Sequence, residues 1–228
     1  LTVIAFYVLL RYTLGWRAAI AGAFFLAVSS WHVNWSRFGM PYSIGAPLFE
    51  IITAYLLLRA LRTSRLTTFA WAGLAFGLGL YTYFGFRLFP FALLAYVAYG
   101  FILNKENVRM NLAGLVLFAI VTVVTVLPQA SWAWQHRQEF MVRTAQTSVF
   151  AGKNTPQERM AALTNSLRRH VMMLNLIGDG NGRHGIPGAP ALDFASAALF
   201  VVGLGYCLYR WRSPTYALLV IWFVVTMQ

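Results

Sequence analysis

The chain has 228 residues, 59% of them hydrophobic and 11% charged, with a mean hydropathy of +0.62 and a net charge of +12. Soluble domains carry roughly a quarter charged residues, so a water-soluble globular fold is excluded, and the positive charge reads as membrane-flanking anchors facing anionic lipid rather than as a nucleic-acid surface. The single cysteine, Cys207, excludes an internal disulfide.

Apolar runs cover about residues 1–10, 18–33, 44–58, 66–84, 88–103, 112–128, 194–209 and 215–228. Most are close to the length at which a helix crosses hydrocarbon, so the chain is predicted to be an all-α, polytopic transmembrane helix bundle. Residues 1–128 hold about six spans, residues 129–193 form one long polar loop, and residues 194–228 hold about two more spans, the last truncated. The chain starts inside an apolar run without a Met and stops inside another, which reads as a piece of a longer protein.

The connectors fall into two sets. Residues 11–17, 59–65, 104–111 and 210–214 are short and carry Arg11, Arg17, Arg59, Arg62, Arg65, Lys105, Arg109, Arg210 and Arg212. Residues 31–43, 81–87 and 129–193 form the other set, whose two short members hold one arginine each, Arg37 and Arg87. The sets alternate along the chain. Basic residues in short loops mark the cytoplasmic side and long loops escape that count, so the 129–193 loop is predicted to be extracytoplasmic.

At the outer ends of the spans, residues Trp31 to Tyr42 and Tyr81 to Arg87 are polar and aromatic. Aromatic residues belong at membrane interfaces. Arg37 and Arg87 are less expected there; each either snorkels to lipid headgroups or offers a planar fork to a phosphate. Glu50, about two turns into the third run, is a carboxylate at membrane depth. It is a functional-site candidate, with Arg37 or Arg87 as neighbours on the outer side, or else half of a structural ion pair or a neutral Glu hydrogen-bonded in the bundle.

The long loop holds four of the six acidic residues and three of the four histidines. Thr155-Pro156-Gln157-Glu158 reads as a helix start, with Thr155 as N-cap, Pro156 in the first turn and Glu158 closing a capping box. Met160, Leu163, Leu167, Val171 and Leu174 then recur at helical spacing, which predicts an amphipathic helix over about 156–177. It lies on the outer membrane surface or packs on its own loop. The Gly178 to Gly182 turn formers end it. Asp179, Arg183 and His184 make a compact polar group in that Gly-rich turn, either a purely structural turn or a phosphate- or sugar-binding one. The chain contains no phosphate-binding loop, zinc-protease motif, cysteine pair or nucleophile elbow, and its histidines are not at metal-ligand spacing.

Several stretches in order carry a resemblance: Ser36-Arg37-Phe38-Gly39, Pro47-Leu48-Phe49-Glu50, Arg59-Ala60-Leu61-Arg62, Gly77 to Tyr83 with Arg87-Leu88-Phe89-Pro90, Leu127-Pro128, Arg143 to Phe150, and Gly178-Asp179 through Arg183-His184, Pro187-Gly188, Pro190 and Leu192-Asp193. Together they resemble the family-39 glycosyltransferases, bacterial relatives of protein O-mannosyltransferases and aminoarabinose transferases. The resemblance implies a GT-C fold in a bacterial inner membrane with its active face outside. It implies transfer of a sugar from a polyprenyl-phosphate carrier to a protein, lipid or glycan acceptor. The family's catalytic acid lies in a first outer loop that no segment here matches, so the base is expected upstream of Leu1. The family often has an acidic residue shortly after the Ser-Arg motif, where this chain has Met40-Pro41-Tyr42. On this reading Arg37, Tyr42, Glu50, Tyr83, Arg87, Asp179, Arg183 and His184 are the substrate- or phosphate-binding candidates, with no metal ligand among them. A transporter or flippase for a lipid-linked or anionic solute explains the spans, Glu50 and the outer arginines equally well, but the long outer loop less well.

Overall fold

A computed structural model describes residues 1–37, 41–103, 105–153, 155–178, 180 and 186–226. Among these all regular structure is helical: α1 (Thr2–Thr13), α2 (Trp16–Val28), α3 (Ser30–Arg37), α4 (Pro41–Thr63), α5 (Leu66–Gly79), a 3-10 turn (Phe84–Leu88), α6 (Phe89–Leu103), α7 (Lys105–Met110), α8 (Leu112–Gln135), α9 (Arg137–Thr147), α10 (Pro156–Asn175), α11 (Phe194–Tyr209) and α12 (Pro214–Thr226). Every apolar run is helical over most of its length, because hydrocarbon offers a backbone no partners but its own. Among the described residues Ile44–Thr63, Phe84–Leu103 and Leu112–Gln135 are long and apolar enough to cross a membrane, and α1, α2, α5, α11 and α12 are shorter apolar helices. The fold is the all-α polytopic bundle that the hydropathy predicts.

Two boundaries depart from the apolar runs. The second run breaks at Ser29, whose extended backbone (ψ 121°) turns the chain from α2 into α3. The sixth does not stop at Pro128; α8 continues through it to Gln135, while the Tyr81 hydroxyl donates at 2.8 Å to the Thr125 carbonyl on the turn before the proline. A proline inside a membrane helix is tolerated where hydroxyls and neighbouring helices compensate the lost bond. The first part of the polar stretch is therefore helical, and α9 follows after His136.

The core gathers α4, α5, α6 and α12 around the 3-10 turn. Phe69, Phe86 and Phe89 have at most 1% of their surface exposed. Phe86 and Phe89 sit 5.4 Å apart between ring centroids, and both lie near Phe76. Helices α5 and α8 run parallel, with Gly73 and Gly77 on the shared seam. A Cβ on Gly73 would lie 2.5 Å from the Phe118 carbonyl oxygen, and one on Gly77 2.6 Å from Thr125 Cβ. Thr122 Oγ1 donates to the Gly73 carbonyl at 3.2 Å. Lipid provides no hydrophobic drive between helices, so close backbone approach at small residues supplies the attraction. Gly73→Leu should therefore lower stability by about 1–3 kcal/mol, the usual cost of overpacking. Gly203→Leu, at a position with nothing within 4 Å, should be neutral. Thermal unfolding of the two variants in detergent checks this, and equal midpoints would remove the seam from the account.

The ends of the bundle collect the two connector sets. At one end the Arg62 guanidinium covers the Tyr12 ring at 4.7 Å and donates to the Tyr12 carbonyl at 3.5 Å. There too Asn111 Nδ2 donates to the Leu61 carbonyl (3.1 Å) and the Tyr99 hydroxyl to the Trp211 carbonyl (3.0 Å). These bonds bring all four basic connectors together. At the other end Gly45 lies against Thr82, where a Cβ would come within 2.9 Å. The Tyr81 hydroxyl donates to the Thr125 carbonyl at 2.8 Å, and Arg87 reaches Phe140 of α9. The aromatic connectors and the start of the long polar segment therefore share the end opposite the basic one.

Candidate functional site

The site at the aromatic end grows from the break at Ser29. Helix α3 places Trp31 and Trp35 one turn apart, with ring centroids separated by 6.2 Å. Its last turn is tightened by Ser36 Oγ, which donates to the His32 carbonyl at 2.7 Å. Opposite α3 stand Ile44 and Pro47, on the first turns of α4, and Tyr83, just before the 3-10 turn. Trp31, His32, Trp35, Ile44, Pro47 and Tyr83 line a cavity of about 490 Å³. That volume lies within the range of small-molecule sites, and the mixture of rings with a few polar groups is typical of them. Burial holds the His32 imidazole below its ordinary pKa. That shift favours the neutral ring, in which one nitrogen donates and one accepts. Grooves of about 590 and 610 Å³ along α10 are larger, and they lie against a helix with no buried residue.

Arg37 ends α3, next in the chain to Ser36 of the cavity lip, and is exposed. Tyr42 is the second residue of α4, two before Ile44 in the cavity wall, and its side chain lies outside the described residues. Arg87 sits in the 3-10 turn, four residues after Tyr83, with its guanidinium 4.9 Å from the Phe84 ring centroid and 4.1 Å from that of Phe140. Two ring faces hold a cation by their quadrupoles and fix the orientation of its planar fork. Arg37, Tyr83 and Arg87 thus come to one end of the molecule.

Of the alternatives for Glu50, the structure gives a side chain hydrogen-bonded within the bundle. The side chain is partly buried, and Trp222 Nε1 of α12 donates to its Oε2 at 3.2 Å. This indole, rather than Arg37 or Arg87, is the partner the fold provides. The Trp222 ring packs 5.2 Å from that of Phe89, which ties the carboxyl to the aromatic core. Pro47, one helical turn before Glu50, belongs to the cavity wall, so the carboxyl lies one turn deeper in the bundle.

Asp179, Arg183 and His184 lie outside the described residues. The chain on either side of them is pinned: Gly178 N donates to the Gly188 carbonyl (3.1 Å), Ala191 N to Met173 O (2.9 Å) and Leu192 N to Leu174 O (3.0 Å). Gly188 has φ +78°, a left-handed conformation that favours glycine. Helix α10 starts as its sequence predicts. Glu158 N donates to Thr155 Oγ1 (3.2 Å) and Thr155 N to Glu158 Oε2 (3.1 Å), a closed capping box. Among the described residues, no group of three His, Cys, Asp and Glu side chains comes together as a metal site.

Trp31, His32 and Trp35 read in the sequence as part of an interfacial belt. Their role as cavity walls was signalled only by the four-residue spacing of the two indoles beside a histidine. Phe140 and Trp222 gave no local signal, since each is identified by a partner far away in the chain.

The family model described as dolichyl-phosphate-mannose-protein mannosyltransferase matches residues 1–132. The matched stretch contains the cavity, Glu50 and Arg87. No curated protein and no solved structure matches the chain.

Proposed function

Because the chain belongs to the dolichyl-phosphate-mannose-protein mannosyltransferase family, whose model matches 132 of its 228 residues, we propose that it forms part of an integral-membrane enzyme using a polyprenyl-phosphate-linked sugar as donor. Membrane glycosyltransfer is the activity of the family. The finer reading is that the sugar passes to a hydroxyl of a protein, lipid or glycan on the extracytoplasmic side. The positive-inside rule supports that orientation by turning the basic end to the cytoplasm and the aromatic end outward.

One observation carries the reading most directly. An arginine held between two rings stands at the same end as an aromatic cavity of about 490 Å³, within the stretch the family model matches. In the transfer, the acceptor oxygen bonds to the anomeric carbon as the bond from that carbon to the carrier phosphate oxygen breaks. The polyprenyl phosphate leaves with the electron pair. Arg87, with Arg37 at the lip, meets the charge that develops on the leaving phosphate. Trp31, Trp35 and Tyr83 offer ring faces to the sugar, and neutral His32 can donate to one hydroxyl and accept from another. The acceptor proton goes to a base, a role that the resemblance assigns to a carboxylate of an outer loop. Glu50, engaged by Trp222, holds α4 to α12 beneath the cavity.

The test is transfer itself. The full-length protein, purified from membranes, is given polyprenyl phosphate carrying radiolabelled mannose and a mixed acceptor fraction. Label should appear in glycosidic linkage on the acceptor, with one polyprenyl phosphate released per sugar moved. Movement of label across sealed vesicles with the donor intact and no new linkage would replace the transferase reading by a transporter.

A further inference from the structure

Helix α10 presents an apolar strip that the described chain leaves exposed over most of its length. At 100° per residue, Leu163, Leu174, Leu167, Met160 and Val171 fall within one arc of about 80°. Met160 is 65% exposed, Leu163 37%, Leu167 45% and Val171 66%. The half-buried positions are Ala162, Ser166 and His170, on the arc beside Leu163, and the last turn from Met172 to Asn175, which includes Leu174 of the strip. At Met160, Leu167 and Val171 the strip is therefore left uncovered by the rest of the described chain, and packing on the loop does not explain its apolar character there.

Two further observations say what covers it. The C-terminal turn of α10 is fastened to the mouth of a membrane helix. Ala191 N donates to Met173 O (2.9 Å) and Leu192 N to Leu174 O (3.0 Å), immediately before Asp193 caps apolar α11. The strip thus begins where α11 enters hydrocarbon. The second observation is charge placement. On the same wheel Arg159 and Arg168 flank the strip on its two sides, close enough for their stems to lie along its edges. Arg159 Nε donates to the Lys153 carbonyl at 3.2 Å, which leaves its two terminal nitrogens, like the Arg168 guanidinium, to reach headgroups. Glu158, the only acid in Pro156–Asn175, sits on the opposite face, leaving the helix with three arginines against one carboxylate.

We propose that α10 is a membrane-surface anchor that lies in the bilayer interface and docks on anionic phospholipid, with Arg159 and Arg168 as the headgroup contacts. An apolar strip bracketed by arginines on an otherwise polar helix is what interfacial binding to acidic lipid requires. The anchor fixes the height of the polar segment over the bundle. It stands independently of the transfer reaction, because it rests on the helix and its attachment alone.

The full chain in lipid nanodiscs tests it. In a Cys207→Ser background, single cysteines replace Met160, Leu167 and Val171 on the strip, and Asn165 and Arg169 on the far face, each labelled with an environment-sensitive dye. All five positions are exposed, so the bundle core is left intact. In discs of mixed phosphatidylglycerol and phosphatidylcholine, the strip positions should emit at shorter wavelength and be quenched by nitroxide-bearing lipid, while the far face should not. Pure phosphatidylcholine discs, or Arg159→Gln with Arg168→Gln in the mixed discs, should lose most of that quenching. Equal emission around the helix, or a blue shift without lipid quenching, would overturn the anchor in favour of solvent or a protein partner. Undiminished quenching in pure phosphatidylcholine would overturn the anionic specificity.

Discussion

Arg87→Ala in the complete enzyme should slow sugar transfer by about a hundred- to a thousandfold, or roughly 2.7–4 kcal/mol, the cost of removing one aligned donor from a developing anion. The side chain is half-buried between Phe84 and Phe140 at the aromatic end, so its fork is oriented before any phosphate arrives. Arg87→Lys should recover only part of the rate, since lysine keeps the charge but loses the planar two-pronged geometry. Phe140→Leu should have a smaller effect, because it frees the guanidinium without removing it. The distinguishing measurement is kcat alongside the unfolding midpoint. A folded Arg87→Ala protein that transfers at the parental rate would reduce the arginine to a structural clasp between the 3-10 turn and α9. The same variant of Arg37 asks whether the lip arginine shares the load.

Phe89→Ala should produce the largest loss of stability, on the scale of about 3–5 kcal/mol for deleting a buried aromatic ring. Phe89 is fully buried, with centroid distances of 5.4 Å to Phe86, 6.1 Å to Phe76 and 5.2 Å to Trp222. Lipid tails are as apolar as the core, so most of the cost comes from the cavity and its lost contacts rather than from transfer to water. The vacancy would also free the Trp222 ring whose Nε1 bonds Glu50, loosening α12 from α4 beneath the site. Phe91→Ala, two residues along the same helix and 61% exposed, should leave the midpoint nearly unchanged. Unfolding curves of the two variants in the same detergent decide it, and matching midpoints would show that the aromatic cluster does not hold the bundle.

Hydropathy alone was enough to locate every apolar helix of the bundle, since a chain in lipid can satisfy its backbone only within each segment. Basic residues in alternate connectors sorted the ends correctly into two groups, as the Arg62–Tyr12, Asn111–Leu61 and Tyr99–Trp211 contacts show. Thr155 and Glu158 announced the start of α10, because a capping box is closed within four residues. All these features are local or depend on composition, and a sequence carries them openly.

What the tertiary structure decided is which side chain meets which. Glu50 bonds an indole 172 residues away in the chain, and Arg87 rests on a ring from a helix beyond the sixth apolar run. The break at Ser29, which swings the two indoles of α3 toward Tyr83, gave no hydropathy signal. Helices α5, α6 and α12 are apolar on every side, so their composition does not say how each is rotated about its axis. Rotation and depth are set by ridges, glycine seams and stacked rings once the helices meet. A carboxylate or guanidinium then takes the partner that this packing delivers, which is why its identity is written in the assembled bundle and not in any one segment.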